Sequence, residues 1–212
     1  MESNIEKIEY SESYIINDNI EILRKNGIGQ LITSYSLNKT SLLLIPIISN
    51  GKIGFINKSA EVVIKPTYDN ILGSFKELSS IVCVEYEGKR GGINIKGDVV
   101  IPIDYKEFYP FQDGLALVRD FNYQYGYINL KNEIIIPIGK YYWCESFVNG
   151  LARVIGIKNN QKVWGIIDTN GCEVLELMYN KIYSFTFSQD ITKGIINNKK
   201  KFIDLTLLKV TY

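Results

Sequence analysis

Histidine is absent from this 212-residue chain, which removes the commonest general base, the Ser/Cys-His nucleophilic pairs and the imidazole-ligated metal sites. Cysteine is scarce. Cys83, Cys144 and Cys172 are odd in number, far apart and in no C-x-x-C pair, so neither a disulfide framework nor a tetrathiolate zinc site is expected. Cys83 lies in an apolar strand pattern and reads as a buried thiol. No charge of one sign dominates: 24 basic against 23 acidic residues leave a net charge of +1, too small a field to gather phosphate backbones or anionic lipid. The one basic run, Lys199-Lys200-Lys201, reads as a solvated hairpin tip. Long apolar runs are missing as well, and Met1-Glu2-Ser3-Asn4-Ile5-Glu6-Lys7 lacks the basic region and apolar stretch of a secretion signal. These absences predict a soluble, cytoplasmic protein without a cofactor or catalytic set, and with neither nucleic acid nor membrane as partner.

What is present is a motif written four times: Gly54-Phe55-Ile56-Asn57, Gly91-Gly92-Ile93-Asn94, Gly126-Tyr127-Ile128-Asn129 and Gly165-Ile166-Ile167-Asp168. The glycines lie 37, 35 and 39 residues apart. Each is followed ten residues on by Ile64, Ile101, Ile136 or Leu175, and about twenty on by Phe75, Phe111, Phe147 or Phe185. A fixed period in this range marks an array of small units, each unable to bury its apolar face alone, that stack into a continuous core.

Within a unit, a short strand carries the glycine and, on the same face, Ile56, Ile93, Ile128 or Ile167, which marks that face as core. A glycine inside a strand requires a close neighbour, either another backbone or a large ring. A turn follows, with Ala60, Gly97, Asn132 or Gly171 where positive φ is expected. The β-branched runs Val62-Val63-Ile64, Val99-Val100-Ile101 and Ile134-Ile135-Ile136 predict a second strand, ended by Pro66, Pro102 or Pro137. Tyr68, Tyr105, Tyr141 and Tyr179 mark a corner, and Gly114-Leu115-Ala116-Leu117-Val118 and Gly150-Leu151-Ala152-Arg153-Val154 a third strand. The fold expected is all-β: tandem units stacked as one continuous, open, twisted, solenoid-like array, with propeller-like closure as the alternative. Residues 42–212 form the array, with a degenerate copy at Gly194. Residues 1–41 form an amino-terminal cap, where Asn26-Gly27-Ile28-Gly29 is the candidate half-repeat.

Trp164-Gly165-Ile166-Ile167-Asp168-Thr169-Asn170-Gly171, Val99-Val100-Ile101-Pro102-Ile103-Asp104-Tyr105 and Phe111-Gln112-Asp113-Gly114-Leu115-Ala116-Leu117-Val118 resemble, in turn, the successive parts of the tryptophan-glycine (WG) repeat of bacterial proteins. The resemblance covers about residues 42–205. It departs from the family pattern before three glycines, where Ile53, Arg90 and Tyr125 replace the naming tryptophan. It implies β-rich repeats that act as interaction scaffolds, and it carries no catalytic residues.

Candidate contact residues follow from variation. Along the face opposite the Gly/Ile face the units differ: Ile53 and Phe55, Arg90 and Gly92, Tyr125 and Tyr127, Trp164 and Ile166. That face is either tuned to a partner or a second apolar layer. Tyr141-Tyr142-Trp143 is the densest aromatic group, and in an extended segment at least one of its rings should be exposed. Phe121-Asn122-Tyr123-Gln124-Tyr125 is a second group. The candidates for partner binding are therefore Arg90, Tyr125, Tyr127, Tyr141, Tyr142, Trp143 and Trp164. Asp69, Asp104, Asp113, Asp168 and Asp204 sit where aspartate bonds turn amides, and Gly88-Lys89-Arg90-Gly91-Gly92 leads into a strand, unlike a phosphate loop. The expected function is non-enzymatic binding of another protein, as an adaptor, accessory subunit or inhibitor. A carbohydrate or other small ligand on the exposed Tyr and Trp rings is the alternative, and a carboxylate-based hydrolase a remote third. A homodimer through an edge strand stays open.

Overall fold

The computed structural model describes residues 42–57, 61–77 and 80–208, together with the backbone of three short strands, β1 (Tyr14–Ile16), β2 (Asn19–Glu21) and β3 (Tyr35–Ser36), which form one antiparallel sheet. The Asn26–Gly29 echo and the turn residue Ala60 lie outside the described residues. No helix among the described residues is long and apolar enough to cross a membrane.

The repeat region is a tandem series of small antiparallel sheets. The first contains β4 (Ile45–Ser49), β5 (Lys52–Ile56) and β6 (Val62–Tyr68). The second contains β7 (Asn70–Leu72), β8 (Val82–Tyr86), β9 (Lys89–Ile93) and β10 (Val99–Tyr105). The third contains β11 (Glu107–Phe108), β12 (Leu115–Arg119), β13 (Tyr125–Asn129) and β14 (Ile134–Tyr141). The fourth contains β15 (Trp143–Cys144), β16 (Leu151–Lys158), β17 (Gln161–Asp168) and β18 (Glu173–Tyr179). The last contains β19 (Lys181–Ile182), β20 (Ile191–Ile196) and β21 (Lys199–Asp204). Neighbours in each sheet are neighbours in sequence, so every sheet is a simple meander. A sheet straddles the sequence repeat, because the strand before each glycine belongs to the preceding copy.

Contacts divide the chain into two compact units rather than the single body its length suggests: residues 1–88 with 92–103, and residues 89–91 with 104–212. In a repeat array each copy packs chiefly on its neighbours, which permits such a division. In the first unit, Phe55, Phe75, Val82, Val84 and Ile93 build one core. In the second, Leu115, Leu117, Tyr127 and Ile136 of the third sheet meet Cys144, Ala152, Val154 and Ile167 of the fourth. Leu151 and Ile166 then meet Ile182 and Ile203 of the last. The two faces of β17 thus serve two interfaces: Ile167 packs backward and Ile166 forward. This is why Phe55, Tyr127 and Ile166 are as fully buried as Ile56, Ile128 and Ile167. The face that differs between units is therefore a second apolar layer over most of its area.

The repeat glycine is explained by backbone contact. A Cβ at Gly54 would meet the Ile64 carbonyl oxygen and the Pro66 nitrogen, each at 2.5 Å. At Gly126 it would meet the Cα of Ile138 at 2.9 Å, and at Gly165 the Leu175 carbonyl oxygen at 2.7 Å. The neighbouring strand bulges across the glycine: Tyr127 pairs with Ile136 but Tyr125 with Tyr141, and Phe55 pairs with Ile64 but Ile53 with Tyr68. Contrary to the sequence expectation, β10 runs past Pro102 to Tyr105, and Pro66 and Pro137 likewise do not end their strands. They sit inside the bulge, where a missing N–H loses no ladder bond, and the strands run on to Tyr68 and Tyr141.

The turn after each glycine is held by the motif's last residue. The side-chain oxygen of Asn94 accepts from the amides of Lys96 and Asp98, that of Asn129 from Lys131 and Glu133, and that of Asp168 from Asn170 and Cys172. Gly97, Asn132 and Gly171 take the expected positive φ, at 88°, 61° and 76°. Register also relocates the terminal copy. Val118 pairs with Gly126, Val154 with Gly165, and Gly194 with Lys201. Gly194 thus stands at the valine position, and Lys201 occupies the place of the repeat glycine. The lysine run lies in β21, just after the turn at Asn197 and Asn198, rather than at the tip.

Candidate functional site

The second unit carries a cleft of about 730 Å³ at one end of the interface between the third and fourth sheets. Its walls come from the link between β12 and β13 (Asn122, Tyr123, Gln124), from Arg119 and Tyr125 on the strands beside it, and from the segment joining β14 to β15 (Lys140, Tyr142, Trp143). Hairpin geometry sets this placement. Arg119 pairs across the ladder with Tyr125, which in turn pairs with Tyr141, so one row of the sheet brings a cation and rings together.

The rings are held in place by cations. The Arg119 guanidinium lies 4.7 Å from the ring centroid of Tyr123 and 4.8 Å from that of Tyr125. It is oriented by Glu107, at 2.9 Å, and Glu107 also accepts from the Tyr109 hydroxyl at 2.9 Å. The link closes on itself: Asp120 accepts from the Gln124 amide at 2.8 Å, and Tyr123 takes a φ of 63°. Tyr142 is 55% exposed, with the Lys162 ammonium 3.7 Å from its ring centroid. Hydrogen bonding and charge from Lys162 hold the Tyr142 phenol below its ordinary pKa. The Trp143 indole leans on Trp164 at 5.4 Å. Behind them, buried Arg153 stacks 5.2 Å from the Trp164 ring, pairs with Glu145 at 2.6 and 2.7 Å, and donates to the Ile182 carbonyl at 2.6 Å.

The residues proposed from sequence separate accordingly. Tyr125, Tyr142 and Trp143 converge on the cleft, and Trp164 buttresses Trp143 from behind. Tyr141 contributes to the floor but is only 4% exposed, and its hydroxyl is buried without a hydrogen-bond partner among the described residues. Tyr127 is fully buried and donates to the Glu145 carbonyl at 2.6 Å. These two rings correct the expectation of exposure at their positions, because the inward face of the third sheet is covered by the fourth. Arg90 is half-buried and outside the cleft. Sequence reasoning missed Arg119, Lys140 and Lys162; of these only Arg119 carried a signal, its ladder position opposite Tyr125.

The carboxylates are engaged elsewhere. Asp69 pairs with Lys52 and accepts from the Glu87 amide, Asp113 accepts from the Gly150 amide, and Asp204 caps Thr206. Cys83 and Cys144 are buried thiols, whereas Cys172 is exposed. Among the described residues no three His, Cys, Asp or Glu side chains gather as a metal site.

A family model described as a WG containing repeat matches residues 53–89, 91–122, 125–155 and 164–190, more than half of the chain. The chain belongs to the WG repeat family. In this WG repeat protein the naming tryptophan survives once, at Trp164, and there it supports the cleft through Trp143. No curated protein matches the chain.

Proposed function

We propose that this WG repeat protein is a binding module that engages another protein through the aromatic cleft of its second unit. The observation that carries this reading is the exposure of ordered rings around one concavity. Tyr123 is 59% exposed and Tyr142 55%, yet each is fixed by a cation at cation–π distance. Large rings held in place lose little conformational entropy on contact, which suits them to be binding hot spots. A matched pair of affinity captures from native cell lysate tests it, one with the wild-type chain and one with Tyr123→Ala/Tyr142→Ala. One stoichiometric protein, present with the first and lost with the second, is expected; undiminished capture by the ring-deleted chain would contradict it.

The concavity also favours a second reading, in which a carbohydrate stacks on Tyr142 and Trp143. Binding on a glycan panel that Trp143→Ala abolishes would support this reading over the first.

A further inference from the structure

We propose that the segment bound in this cleft is acidic and extended, with carboxylates meeting Lys140 and Lys162 while its backbone and apolar groups lie on Tyr123, Tyr142 and Trp143. The proposal rests on the protein-binding reading above and names the chemistry of the partner. The lining holds the cations Arg119 and Lys140, the amides Asn122 and Gln124, and no carboxylate. Lys162 adds a third cation at the rim, over Tyr142. Glu107 already satisfies Arg119. Lys140 donates to the neutral Gly171 carbonyl at 3.0 Å, and neither it nor Lys162 forms an ion pair with a carboxylate among the described residues.

The balance of donors and acceptors separates the ligand classes. A sugar hydroxyl both donates and accepts, and carboxylates are its strongest acceptors; here the charged groups of the lining are all donors, leaving only the amide oxygens of Asn122 and Gln124 and the phenol oxygens to accept. Carboxylates on the ligand would supply the missing acceptors in charge-assisted bonds. A nucleic-acid strand would need a longer cationic track than a chain of net charge +1 provides. An extended peptide can lay its backbone along the cleft while its side chains reach both walls, each of which carries a cation beside rings: Arg119 by Tyr123 and Tyr125, and Lys140 by Tyr142 and Trp143.

The test is amide NMR titration of the full chain with two probes, a 12-residue peptide of alternating Glu and Tyr and one of alternating Lys and Tyr. Shifts confined to residues 119–125 and 139–143 and to the Trp143 indole N–H are expected with the acidic probe alone. Raising NaCl from 50 to 300 mM, or introducing Lys162→Glu, should weaken binding about tenfold. Lys162 is exposed, so this variant keeps the fold, and its unshifted core amides verify that. Equal binding of the basic probe, tighter binding of a uronic-acid oligosaccharide or an oligodeoxythymidylate, or no shift with the acidic peptide would overturn the proposal. If lysate capture depends on Tyr123 and Tyr142 but not on Lys162, the protein-binding reading stands and the acidic partner falls.

Discussion

Tyr141 shows how one position can be filled for packing at the expense of polarity. Its ring crosses the ladder opposite Tyr125 and fills the core beneath the cleft, while its hydroxyl is buried without a partner among the described residues. An unpaired buried hydroxyl costs about 1–3 kcal/mol, so Tyr141→Phe should raise stability in urea unfolding by about 0.5–1 kcal/mol, with the cleft unchanged. A clear loss of stability would mean that the hydroxyl has a partner in solution. Burial pushes the phenols of Tyr109 and Tyr141, and the Cys144 thiol, up to about 12, and raises Tyr127 further. These folded-state values exceed the ordinary 10.0 for Tyr and 9.0 for Cys, so the neutral forms favour the fold. That stability is complete below pH about 9 and is lost as the pH climbs toward about 12. Denaturant midpoints measured from pH 8 to 12 should fall steadily over that window, and a flat profile would contradict the burial of these groups.

At the scale of the element, the repeat is a hairpin whose second strand bulges across a glycine in the first. Gly165→Ala would drive a Cβ to 2.7 Å from the Leu175 carbonyl oxygen, a contact that backbone cannot relieve, and is expected to cost more than about 2 kcal/mol in urea unfolding. The same site in the last sheet carries Lys201, and in the described residues no fourth strand crosses it. Lys201→Gly should therefore cost no more than about 1 kcal/mol, the ordinary entropic penalty of glycine in a strand. Equal sensitivity at the two sites would refute the bulge as the reason for the glycine. This element was legible in the sequence because its parts are local. Period, turn residues and β-branching specify strand, turn and strand, and Asn or Asp after the isoleucine anticipates the side-chain bonds seen at Asn94, Asn129 and Asp168. The strand continuing past Pro66 and Pro137 was not legible. It depends on a register shift between strands, which no single segment encodes.

At the scale of the molecule, stacking buries both faces of the inner strands β5, β8, β9, β12, β13, β16 and β17, so alternation along such a strand does not reveal which residues stay accessible. Tyr127 and Tyr125 share a face and differ only in distance from the strand end, yet one is fully buried and the other borders a cleft. The sequence pointed to the third unit through Tyr141-Tyr142-Trp143 and Phe121-Asn122-Tyr123-Gln124-Tyr125. It did not disclose Arg119, Lys140 and Lys162: Arg119 reaches Tyr123 through the fold of its own hairpin, and Lys162 meets Tyr142 only where two segments distant in sequence come together. On the proposed reading a partner protein sits in this cleft, rather than on an edge strand or the carboxyl-terminal sheet. Site-specific photo-cross-linking in native cells, with a benzophenone amino acid at position 123, 142 or 202 in turn, tests it most directly. Phe202 is 77% exposed on β21 and serves as the distant comparison. One protein adduct formed from positions 123 and 142 and absent from 202 is the expected result; adducts from 202 alone, or no adduct at the cleft positions, would contradict the account.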